Sequence, residues 1–340
     1  MEEHMKTTKT SILRFVTVCL VLVMMLSLLT GCKGGTAAAS GGDNAKVAIR
    51  ISACNSLDHP QTLGLQVMKE YVEKESGGNI TFEIFPNSQL GDELSSLEQV
   101  RTGTLEMATA SFGPLATLAP KMMVMDIPFL FKSYDEAWMV LDSQVGSDLL
   151  NELEAVKLKS LGSYENGFRH VTNNKLAINT PADFSGLKIR TMQTPMHILN
   201  FKTLGANPTP VPFSELYLAM SQNIVEGQEN PLANIWEVKM YEVQKFTSLT
   251  GHIYDAMPLV CNLDWYNKLS PEYQGILSKG AILGQNYSRF VNAAREEVLV
   301  DKLIEKGMAV NEVSNETKAE MQKISRGVVA DAVKEKAGAE

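Results

Sequence analysis

Between residues 47 and 110 the chain alternates short strand-like runs with amphipathic helical ones, and that alternation limits the possible folds more than any other feature. Val47–Ser52 alternates polar and apolar side chains, Gln61–Val72 has helical spacing through Leu65, Met68 and Val72 and stops before Gly77-Gly78, and Ile80–Phe85 reads as a second strand. Leu94–Arg101 then has helical spacing, and Leu105–Ala110 reads as a third strand. This order predicts an α/β lobe whose helices cover a largely parallel sheet, with the loops at the strand ends facing a cleft. Asn55 and His59 follow the first strand, and Gly91-Asp92-Glu93 opens the helix after the second, so these loops are natural places for polar ligand contacts. His59 also has a plainer reading, as a solvated residue at a helix start.

The amino terminus is a separate unit. Lys6, Lys9 and Arg14 flank the apolar run Phe15–Leu29, which is short for a membrane span and ends in small residues before Cys32, so residues 1–31 read as a signal sequence. Gly34–Asp43, rich in Gly, Ala and Ser, reads as flexible, giving a tether over residues 32–45. Removing Lys6, Lys9 and Arg14 against Glu2 and Glu3 takes the formal charge from -8 to -9, and an acidic chain is a poor nucleic-acid binder. Roughly 300 residues remain, more than one ordinary core holds, which predicts two lobes. Of the four cysteines, Cys54 and Cys261 stay in the folded part; each lies in an apolar strand-like run that suits a buried thiol better than a disulfide.

Farther along, Met122–Phe131 is dense in Met and Phe and reads as core, followed by helices over Tyr134–Leu141 and Gly146–Val156. Lys159–Tyr164 leads into Asn166-Gly167-Phe168-Arg169, where the chain is expected to cross to the second lobe. There Ile189-Arg190 ends a strand, Pro195–Leu204 is a helix, and Thr209–Val211 is a short strand. Ser214 is positioned to cap a helix with Phe213, Leu216, Tyr217 and Met220 on one face, and Gly227 ends that pattern in a Gly-Gln-Glu-Asn-Pro turn. Pro231 restricts Asn230 to an extended conformation, which holds its amide in place. An arginine closing a strand beside this turn makes a carboxylate-sized socket; ordinary helix-stop chemistry accounts for the same spacing. Trp236–Phe246 reads as an amphipathic helix and Leu259–Leu263 as a strand returning to the first lobe. Ser270-Pro271-Glu272 starts a long helix running to Gly307, with Ile276, Leu283, Tyr287, Phe290, Ala294 and Val298 as its buried stripe, and a last helix spans Glu316–Lys336. At 1.5 Å per residue the long helix would reach roughly 50 Å, enough to back both lobes.

FPNSQLGD (Phe85–Asp92), YENGFRHVTN (Tyr164–Asn173), DFSGLKIRTM (Asp183–Met192), LGANPTPVPFSELY (Leu204–Tyr217) and VEGQENPLANI (Val225–Ile235) together resemble, in order and spacing, the solute-binding proteins of tripartite ATP-independent periplasmic (TRAP) transporters. The resemblance implies a two-lobed periplasmic-binding-protein fold with the ligand in the interlobe cleft and a long helix spanning both lobes. The lobes are expected at residues 46–166 plus 256–295 and 167–255 plus 296–340. It assigns Arg190 to the ligand carboxylate, with Arg169 helping and Phe213 and Asn230 closing around the ligand. A planar, always-charged guanidinium suits that task, since it can donate two parallel hydrogen bonds to one carboxylate; Arg169 reads equally as a structural partner of a nearby acid. Glu93 and Ser111 occupy cleft positions of the sialic-acid-binding members, which carry an acidic residue in place of Ser111, and that departure argues against sialic acid. Asn55, His59, Glu93, Ser111 and Gln193 tip the expected solute towards a hydroxylated sugar acid, with C4-dicarboxylates and 2-oxo acids also compatible with one arginine.

Leu29-Thr30-Gly31-Cys32 resembles a bacterial lipobox, which implies lipid on Cys32 and an anchor on the outer face of the cytoplasmic membrane; a plain secretory cleavage within Thr36–Ser40 is the other reading. The partners implied are a small carboxylate solute and a two-subunit membrane permease, with the binding protein a monomer and without cofactor. The chain has no Gly-x-Ser-x-Gly elbow, His-Glu-x-x-His or phosphate loop, and its five histidines show no metal-ligand spacing, so an extracellular enzyme is disfavoured. A ligand-sensing co-receptor for a membrane kinase would use the same cleft.

Overall fold

The computed structural model describes residues 46–338; the signal sequence, the tether and Cys32 lie outside the described residues. Strands β1 (Val47–Ser52), β2 (Ile80–Phe85) and β3 (Met107–Thr109) pair in parallel, with helices α1 (Pro60–Glu75), α2 (Glu93–Thr102) and α3 (Phe112–Leu118) after them. This end matches the expected α/β lobe. The sheet as a whole is mixed rather than largely parallel, in the order β2-β1-β3-β8-β4-β7-β5-β6. Its centre is an antiparallel pair of long strands, β4 (Leu158–Asn173) and β8 (Phe246–Asn262), and β9 (Ala309–Glu312) also pairs with β8. The far end holds β5 (Lys188–Thr191), β6 (Asn207–Pro210) and β7 (Gly227–Asn230).

Asn166–Arg169, where the chain is expected to cross, lies within the continuous strand β4, and the strand expected over 259–263 is the last part of the longer β8, which ends at Asn262. The two strands pair from Leu158 opposite Asn262 to Asn173 opposite Phe246, and their pairing is irregular, with register shifts at Ser160/Gly162, Glu165/Gly167 and Arg169/Val171. Gly167 at φ +121° and Gly251 at φ +53° supply conformations there that L side chains resist.

Local corrections have local causes. Gly227 does not end a helix in a turn: Gly227–Asn230 is a strand buried at all four residues, whose polarity hid its periodicity. Ser214 caps nothing; it sits inside the single 3-10 turn Phe213–Glu215, before α7 (Leu216–Ser221), and Tyr217 is exposed. The helix expected over 236–246 is instead α8 (Leu232–Glu237), begun by Pro231 and stopped when Lys239 turns left-handed at φ +55°. Helices α4 (Tyr134–Leu141), α5 (Gln144–Asn151) and α6 (Pro195–Thr203) lie close to expectation, and Met122, Met123, Met125 and Phe131 are core residues. A short α9 (Leu263–Tyr266) leads into the long helix.

That long helix, α10 (Pro271–Glu305), is capped by Ser270 as expected, but it buries a neighbouring face rather than the expected stripe. Leu283, Tyr287, Phe290 and Val298 are exposed, whereas Leu277, Gly280, Ala281, Gly284, Ser288 and Asn292 are buried. The cause is a close crossing with α1. A Cβ on Gly64 would stand 2.4 Å from the Gly284 carbonyl oxygen, and one on Gly284 2.5 Å from that of Gly64. Only small residues allow backbones so near, and large apolar side chains are turned outward. The final helix, α11 (Asn315–Ala337), packs against α6. Among the described residues no helix is long and apolar enough to cross a membrane.

Candidate functional site

A small cavity lies where the ends of several strands converge on the β4–β8 pair. Cys54 and Asn55 reach it from the loop after β1, Glu93 from the first turn of α2, and Ser111 from the start of α3. Asn166 and Arg169 come from β4, Met257 from β8, Arg190 and Met192 from β5 and the residue after it, Phe213 from the 3-10 turn, Asn230 from β7 and Asn234 from α8. Arg169 and Arg190 are each only 1% exposed, and Asn55, Ser111, Asn230 and Asn234 are buried too. The lips therefore meet over the cavity in a closed arrangement.

The two arginines differ in electrostatic condition. Arg169 donates from Nε and Nη2 to both Glu229 carboxylate oxygens, from Nη2 at 2.9 Å, and from Nη1 to Asp255 Oδ2 at 2.8 Å. Burial opposes its charge, but Glu229 and Asp255 outweigh it and hold the guanidinium firmly protonated. Glu229 is correspondingly held well below the carboxylate range despite its burial, by Arg169 and His197. His197 is pushed up to about 9 by Asp126 and Glu229, which together overcome desolvation. A buried chain of alternating acids and bases thus runs from Asp126 through His197, Glu229 and Arg169 to Asp255.

Arg190 has no such match. Its Nε donates to the Val211 carbonyl oxygen at 2.8 Å, and its Nη1 is buried without a hydrogen-bond partner. Burial brings its pKa down to about 10, with Glu229 and Glu93 opposing the fall. A buried cationic donor without an acceptor costs stability, and an incoming carboxylate would relieve that cost.

Polar groups around the arginines are held in place. Asn230 Oδ1 accepts from Arg169 Nη2 at 3.2 Å while its amide nitrogen donates to Gln228. Asn55 Oδ1 accepts from Asn234 Nδ2 at 3.1 Å. Glu93 Oε1 accepts from the Ser111 backbone N–H at 2.7 Å, and burial raises its pKa. These groups can both donate to and accept from hydroxyls.

Of the expected site residues, Arg190, Arg169, Asn230, Phe213, Glu93, Asn55 and Ser111 line the cavity. His59 does not, and it is not solvated either. It is fully buried behind the lining, accepts the Gln61 N–H as the cap of α1, and lies 3.2 Å from Asn55 and 3.4 Å from Asn234. Burial takes its pKa down to about 3, so it braces the two asparagines as a neutral ring. Gln193 is partly buried beyond β5 and is not among the lining residues. Cys54 and Cys261 are free thiols, and Cys54 faces the cavity. Asn166, Met192, Asn234 and Met257 are not among the site residues expected from the sequence; the first three lie within the motif blocks but carry no local sign of a ligand role, and Met257 sits inside the apolar part of β8. Among the described residues no group of three or more His, Cys, Asp or Glu is placed to hold a metal ion.

A larger groove lies outside, lined by Ser56, Asp58, Trp236, Glu237, Tyr241, Arg295 and Lys302 among others. It holds no counterpart of the unmatched Arg190, so the small inner cavity is the better candidate.

Comparison with known proteins gives one consistent result. The family described as bacterial extracellular solute-binding protein, family 7, matches residues 51–336. The 2,3-diketo-L-gulonate-binding periplasmic protein YiaO of Escherichia coli K12 is 37% identical over 276 residues, covering 81% of this chain and 84% of its own. A TRAP periplasmic solute-binding protein from Polaromonas sp. JS666, solved bound to D-erythronate, is 34% identical with a TM-score of 0.82, covering 86% of this chain and 95% of that one. The sugar acid binding protein DctPAm of Advenella mimigardefordensis, solved with galactonate, is 32% identical with a TM-score of 0.84, covering 87% and 96%. The two-lobed α/β fold is shared with both solved structures.

Proposed function

We propose that this chain, which belongs to bacterial extracellular solute-binding protein family 7, the binding proteins of TRAP transporters, captures a small sugar acid and seats its carboxylate on Arg190. It is a solute-binding protein and not an enzyme. The observation that carries the ligand reading is the buried Arg190 Nη1 without an acceptor, beside an Arg169 already satisfied by Glu229 and Asp255. One unmatched guanidinium calls for one carboxylate. Around it, Asn55, Asn166, Asn234 and Ser111 are neutral groups suited to hydroxyls, and Glu93 discourages a second carboxylate. Three relatives are described with 2,3-diketo-L-gulonate, D-erythronate and galactonate, each a sugar acid.

In this reading the lobes, residues 46–166 plus 256–295 and 167–255 plus 296–340, close by bending at the irregular middle of β4 and at Gly251. Residues 1–31 are removed, Cys32 carries lipid, and 32–45 tether a monomeric binding protein that hands its solute to a two-subunit permease. Calorimetry of the purified protein with galactonate, erythronate, succinate and neutral galactose tests the ligand class. Binding of the two sugar acids, lost in Arg190→Ala while that variant stays folded, is expected. Equal binding of galactose, or undiminished binding by Arg190→Ala, would overturn the carboxylate seat.

A further inference from the structure

The loop after β1 meets α8 on two sides. On the inner side Asn55 and His59 face Asn234, at 3.1 Å and 3.4 Å. On the outer side the Ser56 hydroxyl donates to Glu237 Oε2 at 2.6 Å. Asn234 and Glu237 are three residues apart on α8 and so share one of its faces. The loop is itself fixed: Arg295 of α10 donates to the Asp58 carbonyl oxygen at 2.6 Å, and His59 and Pro60 start α1. A ligand touching Asn55 and Asn234 therefore pulls on the same two pieces of backbone that carry Ser56 and Glu237.

We propose that Ser56 and Glu237, with Arg295 anchoring the loop, form a clasp across the mouth of the cavity that sets how fast the bound solute escapes. This rests on the solute-binding reading above. The inner contacts join neutral amides and an imidazole, whereas the outer one joins a hydroxyl to a carboxyl group that is partly sheltered from water. The outer hydrogen bond, at 2.6 Å, is shorter than either inner contact, at 3.1 Å and 3.4 Å, so it is the larger barrier to parting the lips. Neither Ser56 nor Glu237 lines the inner cavity, so the clasp acts on residence time and leaves ligand recognition to the residues within. Ser56 and Glu237 are positioning residues.

Stopped-flow tryptophan fluorescence tests this, because Trp236 adjoins Glu237 in the outer groove. With galactonate as the probe, Ser56→Ala is expected to release it about tenfold faster, the equivalent of one hydrogen bond, with the association rate little changed. Ser56→Thr, which keeps the hydroxyl, should restore the slow release. Release from Ser56→Ala at the wild-type rate, or equal acceleration in Ser56→Thr, overturns the clasp. A ligand-free arm separates the clasp from the ligand reading: Ser56→Asp sets a second acid against Glu237 and should give a larger radius of gyration by X-ray scattering than the wild type. If the wild type binds no sugar acid, the ligand reading fails, and the scattering comparison alone decides the clasp: expansion supports it and identical curves overturn it.

Discussion

Arg169 and Arg190 share one cavity wall and are equally buried, yet Arg169 is held by the carboxylates of Glu229 and Asp255 while the Nη1 of Arg190 has no acceptor. The difference separates a structural arginine from a ligand-binding one, and it predicts opposite effects of substitution. Arg169→Met leaves buried Asp255 without its cation and Glu229 facing only His197 and His252, and should cost about 3–5 kcal/mol of stability. Arg190→Met removes an unmatched buried charge and should stabilise the ligand-free protein by at least about 1 kcal/mol while abolishing binding. Chemical denaturation of both variants without ligand checks the contrast; a destabilised Arg190→Met would mean that the guanidinium is satisfied in solution.

Affinity should depend on pH through Glu237. In the closed structure burial raises its pKa to about 7, against the Ser56 hydrogen bond and the Arg295 charge, which lower it. Asp58 adds to the rise, and Lys239 and Lys302 also line the groove around it. Opening the lips would rehydrate the group and return it towards the ordinary carboxylate range. Closure then takes up a proton, so this contribution to the closed form is fully present at low pH and is lost as pH rises through about 7. Calorimetric titrations from about pH 5.5 to about pH 8.5 should show affinity falling with pH, and Glu237→Gln should flatten the curve. An unchanged slope in that variant would assign the dependence to another group.

Global stability should fall as pH rises towards about 8 because of Glu165. Its side chain accepts from Trp138 Nε1 at 2.6 Å and Tyr254 Oη at 3.1 Å, and burial pushes its pKa up to about 8. A raised folded-state pKa means that stability is present below the unfolded value and declines as pH climbs through about 8. Glu165→Gln mimics the protonated form and should hold its melting temperature where the wild type loses it.

The crossing of α1 and α10 should tolerate no added methyl group. Gly284→Ala puts a Cβ against a backbone oxygen, which cannot swing aside as a side chain can, so overpacking of about 1–3 kcal/mol is expected from thermal unfolding. Gly275→Ala on the same helix meets nothing within 4 Å and should be neutral or slightly stabilising. Equal effects at the two positions would mean that the helices are farther apart than described.

Local patterns settled much of this protein before any coordinates. The alternation over 47–110, the Ser270-Pro271 start of α10 and the Pro195 start of α6 are short-range features, and all three elements form where their residues predict. The five motif blocks carried Arg190, Arg169, Asn230 and Phe213 to one site, and the strand-end rule added Asn55 and Glu93. Tertiary structure decided what depends on partners distant in sequence. Gly227–Asn230 became a strand because β4 pairs with it, and α10 buried its small residues because α1 lies too near for large ones. His59 became a brace because Asn55 and Asn234 close over it. Above all, the sequence presents Arg169 and Arg190 as two similar cations. Only the fold, by setting Glu229 and Asp255 against the first and a carbonyl oxygen against the second, leaves one charge to be answered by a ligand, since the energy of a buried charge is set by the groups packed around it.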